Sequence, residues 1–176
     1  MKLLFGTIVF LSVLFLSCED AEYDLNNPND PENMDLDPPA LFFHPGEINT
    51  KLDSSFTVQL YGLKLGPTAA SHLDIRYERN SVRVDSVIAD TFFQNLNEPF
   101  QVIIDDEENL DIFLYLLPDT LSDQNEGGTW SLATIHFTAI STGGSELLYG
   151  EDTRLRDANN DSVRIKSFGT GFINVE

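Results

Sequence analysis

From Ala40 to the C-terminus the chain repeatedly alternates apolar and polar residues, and no stretch sustains a helical period with caps. Phe56, Val58 and Leu60 alternate with Thr57, Gln59 and Tyr61; Leu73, Ile75 and Tyr77 with Asp74 and Arg76; Ile135, Phe137 and Ala139 with Thr134, His136 and Thr138. Successive side chains of a strand point to opposite faces, so this period of two predicts half-buried strands. Turn residues punctuate the runs at Gly66-Pro67, Glu78-Arg79-Asn80, Asp105 to Asn109, Gly127-Gly128, Gly143-Gly144 and Asn159-Asn160-Asp161. Many short strands at such spacing predict an all-β fold: an antiparallel β-sandwich of jelly-roll topology, whose inward faces make one core. Residues 40–176 suffice for one such domain, of a size that buries roughly two-thirds of its unfolded surface.

The N-terminus is of another kind. Met1 and Lys2 precede an apolar run, Leu3 to Leu16, interrupted only by Gly6, Thr7 and Ser12. About 18 or more apolar residues are needed for a permanent membrane helix, so the run fits a cleaved signal peptide spanning residues 1–17. Phe15-Leu16-Ser17-Cys18 resembles a lipobox, with Phe15 in place of the usual leucine. The resemblance implies cleavage after Ser17 and diacylglycerol on the Cys18 thiol. Cys18 is the only cysteine, so the domain has neither a disulfide nor a thiolate metal site of its own. The expectation is an exported protein anchored to a membrane by lipid and not spanning it.

Residues 18–39 read as an acidic linker. Asp, Glu, Asn and Pro dominate, Tyr23, Leu25, Met34 and Leu36 are isolated, and no Lys or Arg occurs between Lys2 and Lys51. Such a composition cannot bury enough apolar area to offset its ordering entropy, which predicts a disordered tether. It would reach roughly 65 Å extended and about 25 Å on average. Acidic residues directly after the cysteine also resemble the surface-export signal of Bacteroidetes-type lipoproteins, which implies the outer membrane and its outer surface. The chain carries 29 acidic and 10 basic residues, a formal net charge of −19. Nucleic acid and anionic lipid are therefore poor partners.

Catalytic patterns are absent from the sequence. His44, His72 and His136 lie on separate segments without metal-ligand spacing, and no nucleophile elbow, phosphate loop or cofactor fingerprint occurs. A non-enzymatic chain without a cofactor is expected. Asp157, Asn159 and Asp161 have the one-three-five spacing of a calcium loop, but Ser162 replaces the loop glycine and Phe168 the closing glutamate. A polar hairpin turn is the competing reading. Trp130, beside Gly127-Gly128, is the one tryptophan available to stack on a sugar ring, and it suits a core position equally.

The segment Leu110-Asp111-Ile112-Phe113-Leu114-Tyr115-Leu116-Leu117 is apolar at both parities. Whichever side faces the core, the other presents large hydrophobic groups, and contiguous exposed apolar surface marks an interface. The alternative is a central strand covered on both faces, for example by the segment Asp90 to Pro99 with Phe92 and Phe93.

Taken in order, Ser55-Phe56-Thr57-Val58-Gln59-Leu60, Leu73-Asp74-Ile75-Arg76-Tyr77-Glu78, Val82 to Val87, Leu132-Ala133-Thr134-Ile135-His136-Phe137-Thr138-Ala139 and Leu155-Arg156-Asp157-Ala158-Asn159-Asn160 resemble a cohesin domain. The resemblance implies a jelly roll of about nine strands over residues 40–176 that binds a dockerin-type protein on one sheet face, as a monomer, in a setting linked to polysaccharide degradation. Carried over by position, its partner-binding residues are His72, Asp74 and Arg76, and Asp111, Phe113, Tyr115 and Leu117. An aromatic centre flanked by Asp74 and Arg76 has the anatomy of a binding hot spot. The alternative is a carbohydrate-binding module of the same wider sandwich family, which would bind polysaccharide and make Trp130 the contact residue. Calcium at Asp157, Asn159 and Asp161 stays open as an accessory.

Overall fold

The computed structural model describes residues 28, 34–93, 100–106, 109–116 and 128–176. The signal segment, Cys18 and Leu117 lie outside the described residues, as do residues 19–27 and 29–33 of the linker. The regular elements among the described residues are all strands: β1 (Ala40–His44), β2 (Glu47–Thr50), β3 (Ser55–Leu63), β4 (Ala70–Arg76), β5 (Val82–Ala89), β6 (Phe100–Asp105), β7 (Leu110–Tyr115), β8 (Thr129–Ala139), β9 (Gly143–Tyr149), β10 (Arg154–Arg156), β11 (Ser162–Val163), β12 (Ser167–Phe168) and β13 (Gly171–Val175).

They form two sheets. One has the order β12-β1-β3-β8-β5; the other runs β11-β10-β4-β9-β13-β2, with β7 on the free side of β4 and β6 beyond β7. The alternating segments enter this sandwich with the parity their sequence predicts. On β8, Ala133, Ile135, Phe137 and Ala139 are fully buried while Thr134, His136 and Thr138 face out. Val58 and Leu60 of β3 and Leu73 and Ile75 of β4 meet them from both sheets in one core. Each such side chain stabilises the fold by about 1.5–3 kcal/mol on burial. A bulge opposite Leu60 and Tyr61 places Leu132 as an extra residue on β8, so that Leu132 and Ala133 are both buried.

The sheets are mixed rather than purely antiparallel. The N-terminal arm breaks at Pro45-Gly46 into β1 and β2, and the C-terminal arm breaks at Gly169-Thr170 into β12 and β13. Each arm therefore passes from one sheet to the other. The two pair in parallel on both sides of the crossing, Ala40 with Ser167 in one sheet and Phe172 with Glu47 in the other. Pro45 has no N–H to continue a ladder. Gly169 is required at the crossing because a Cβ there would lie 2.8 Å from that of Phe42. These breaks, with the short β10 and β11, give more strand segments than the nine expected.

Gly143-Gly144, expected as a turn, instead opens β9. Gly143 has φ +135°, and the missing side chain of Gly144 admits the ring of Phe172, which a Cβ would meet at 2.8 Å. The packed domain also begins before Ala40. Met34 and Leu36 lie against Ala40, Phe42, Leu63 and Tyr61 in a second small cluster. Asp37 fastens the same stretch through its carboxylate to Lys166 at 3.2 Å and its carbonyl to Ser167 Oγ at 2.8 Å.

Candidate functional site

Both parities of β7 are apolar, and the sandwich can bury only one. Leu110, Ile112 and Leu114 are fully buried, which leaves Asp111, Phe113 and Tyr115 on the outer side. β6 extends that side with Phe100 (57 % exposed), Val102 and Ile104, and Tyr115 is 38 % exposed. The strand register lines these residues up across the sheet. One row runs Arg156, Ala70, Tyr115, Phe100, and the next runs Arg154, His72, Phe113, Val102. A third runs Asp74, Asp111, Ile104. Phe92 and Phe93 do not cover this face: Phe93 is buried in the main core and Phe92 packs against that core.

The outer side of the companion sheet is more polar along β3 and β8, although Ile88 of β5 and Phe168 of β12 are 48 % and 44 % exposed. There Ser55 Oγ meets Thr138 Oγ1 at 3.2 Å, Thr138 donates to Asp85 at 2.6 Å, and Thr134 and Ser131 donate to Asp90 at 2.6 and 2.5 Å. A hydroxyl ladder of this kind suits water. Strand propensity alone therefore does not account for the aromatic side.

Around the face lie polar groups, some of them paired. His72 stacks on Phe113 with ring centroids 4.2 Å apart, and its Nε2 meets Asp111 Oδ1 at 2.6 Å. Arg76 is half exposed and only 3.9 Å from Asp74 Oδ2. Asp74 has the outward parity of its strand but is 1 % exposed. The turn from β9 to β10 folds over it: Gly150 N–H donates to its carbonyl at 2.8 Å, and Thr153 Oγ1 accepts from its N–H at 3.1 Å. Asp74 therefore shapes the rim from beneath. At the far end, Tyr77 donates to Asp105 Oδ1 at 3.1 Å, and Arg79 pairs with the same carboxylate at 2.5 Å while donating to the Asn109 carbonyl at 2.9 Å. These contacts fasten the β6–β7 hairpin to the strap between β4 and β5. Burial, with Asp105 beside it, pushes the Tyr77 phenol up to about 12.

The structure thus brings His72, Arg76, Asp111, Phe113 and Tyr115 to one side, with Asp74 beneath it. Phe100, Val102, Ile104, Arg154 and Arg156 join them without having been singled out from the sequence. The signal for β6 was present, since Phe100, Val102, Ile103 and Ile104 are apolar at both parities, as in β7. Trp130 lies elsewhere, half-buried opposite Gly62. Asp157, Asn159 and Asp161 form the hairpin turn between β10 and β11. Asp157 Oδ1 accepts from the N–H of Asn159 and of Asp161 at 2.9 and 2.8 Å, which is the work of a turn carboxylate. Among the described residues, no group of three or more His, Cys, Asp or Glu is placed to hold a metal ion. No helix among them is long and apolar enough to cross a membrane.

Solved cohesin structures share this fold. The non-cellulosomal cohesin of the archaeon Archaeoglobus fulgidus superposes with a TM-score of 0.63 at 14% identity, covering 78% of this chain and 90% of that one. A type II cohesin from the cellulosome of Acetivibrio cellulolyticus gives 0.65 at 13% identity, over 77% and 94%. The sixth cohesin of scaffoldin B from the same organism, solved in complex with a mutant Cel5 dockerin, gives 0.62 at 16% identity, over 78% and 98%. No protein-family model and no curated protein sequence matches the chain. The domain is a cohesin-like β-sandwich.

Proposed function

We propose that this protein is a non-catalytic adaptor that recognises a protein partner of dockerin type through the outer side of β6, β7 and β4. Lipid on Cys18 holds it to the cell envelope, at the outer membrane, with the sandwich carried clear of the bilayer by the acidic linker. The observation that carries the reading is the apolar outer side of the β6–β7 hairpin, set against the hydroxyl-lined side of the other sheet. An aromatic cluster with arginines at its edge has the composition of an interface hot spot. The cohesin-like fold supplies the class of partner, and fold alone does not fix it.

The test is capture by the immobilised chain from Glu19 onward, using secreted and envelope proteins of the source organism, with and without calcium, beside a panel of polysaccharides. The expected result is retention of a dockerin-bearing protein that Tyr115→Asp abolishes. Retention on a glycan with no protein captured would contradict it and make Trp130 the residue to examine.

A further inference from the structure

The face has two chemically distinct halves, and the second half describes the partner. Over β6 and β7 it is apolar; on β10, three strands away in the same rows, the two outward side chains are arginines, with the carboxylates of that region carried by the flanking turns. Arg156 stands in line with Ala70, Tyr115 and Phe100, and Arg154 in line with His72, Phe113 and Val102. In a chain with 29 acidic and 10 basic residues, two arginines side by side on the outward face of one strand are unusual. Their charge is also weakly compensated. Arg154 reaches Asp152 only at 3.9 Å, both side chains being more than half exposed, and Arg156 donates to the backbone carbonyl of Asn160 at 3.1 Å. By contrast, Arg79 and Arg83 hold carboxylates at 2.5 and 2.9 Å. Two carboxylates of the neighbouring strand and turn are engaged elsewhere, Asp111 with His72 and Asp157 with two backbone N–H groups.

We infer that the partner's docking element is acidic and amphipathic: one side an apolar ridge that lies over Phe100, Val102, Phe113 and Tyr115, the adjoining side carboxylates that meet Arg154 and Arg156. The inference rests on the recognition face proposed above and adds its charge. The dimensions fit one helix. Neighbouring strands are about 4.8 Å apart, so three spacings separate the arginines from the apolar edge by about 14 Å, close to the 10–12 Å width of a helix with side chains. Ala70, between Arg156 and Tyr115 in the row, places no large side chain there. The net charge of the whole chain does not oppose this at physiological salt, where charges more than about 8 Å away are largely screened and those in contact are not.

The measurement is fluorescence anisotropy of the chain from Glu19 onward against two synthetic helical peptides of about five turns, sharing one Leu/Phe ridge and differing only in flanks of Glu or of Lys. The Glu-flanked peptide is expected to bind roughly tenfold tighter at about 0.15 M salt, the opposite of what the net charge of the chain favours. Arg154→Glu with Arg156→Glu should invert the preference, Arg154→Gln with Arg156→Gln should erase it, and Tyr115→Asp should weaken both peptides. Equal binding or a Lys preference, still lost with Tyr115→Asp, overturns the acidic partner and leaves the face. A Glu preference that survives the arginine replacements overturns it likewise. Binding of neither peptide, or binding indifferent to Tyr115→Asp, overturns the inference and the face together.

Discussion

Asp74 illustrates what alternation says about a residue and what it does not. Its parity on β4 is outward, as period two requires, yet the β9–β10 turn closes over it. A contact made by a turn 76 to 79 residues further along the chain leaves no mark in the local pattern. Gly150 makes that closure fit. A Cβ there would stand 1.8 Å from Asp74 Oδ2 and 2.2 Å from its Cγ, so either the buried carboxylate or the turn must shift. Gly150→Ala should therefore cost about 1–3 kcal/mol, read as a lower urea midpoint at unchanged slope. Asp74→Ala in the same chain should recover part of the loss, because the two substitutions act on one contact. An unaltered midpoint for Gly150→Ala would mean that the turn does not pack as described.

At the scale of elements, strands that are apolar at both parities carried the most information. The pattern of β7 required a second apolar surroundings, and the structure resolves the ambiguity: Phe92 and Phe93 turn to the core, and Phe113 and Tyr115 stay outside. β1 has the same pattern in Ala40-Leu41-Phe42-Phe43, with the opposite outcome. Leu41 and Phe43 enter the main core, and Ala40 and Phe42 are covered on the other side by Met34 and Leu36. Composition assigned residues 34–39 to the linker because their apolar residues are isolated in sequence. Their partners are supplied by β1 and β3, which no local window contains. A chain begun at Ala40 should consequently be about 1–2 kcal/mol less stable than one begun at Met34, since it uncovers Phe42 and loses the contacts of Asp37 with Lys166 and Ser167. Paired thermal melts of the two chains measure this. Coincident melts would return residues 34–39 to the linker.

Over the whole molecule, the all-β sandwich and the places of its main strands were legible because half-burial writes itself into every second residue. The crossing of the two arms was not legible, since period two is the same for parallel and antiparallel neighbours, and Pro45 and Gly169 indicate a break without saying which sheet follows. The face was half legible: β7 and β4 through their outward residues, β6 and β10 only once the register had set Phe100 beside Tyr115 and Arg154 beside His72. The proposed recognition role rests on the contrast between the aromatic outer side of β6 and β7 and the more polar outer side of β3 and β8. The most direct measurement is the dissociation constant of the captured protein partner for the unaltered chain, for Tyr115→Asp with Phe100→Asp, and for Thr57→Asp on the exposed, hydroxyl-lined side. The account predicts a loss of roughly 100-fold or more for the aromatic pair, as expected of central interface residues, and a change within about threefold for Thr57→Asp. Undiminished affinity in the aromatic pair, or a comparable loss from Thr57→Asp, would contradict it.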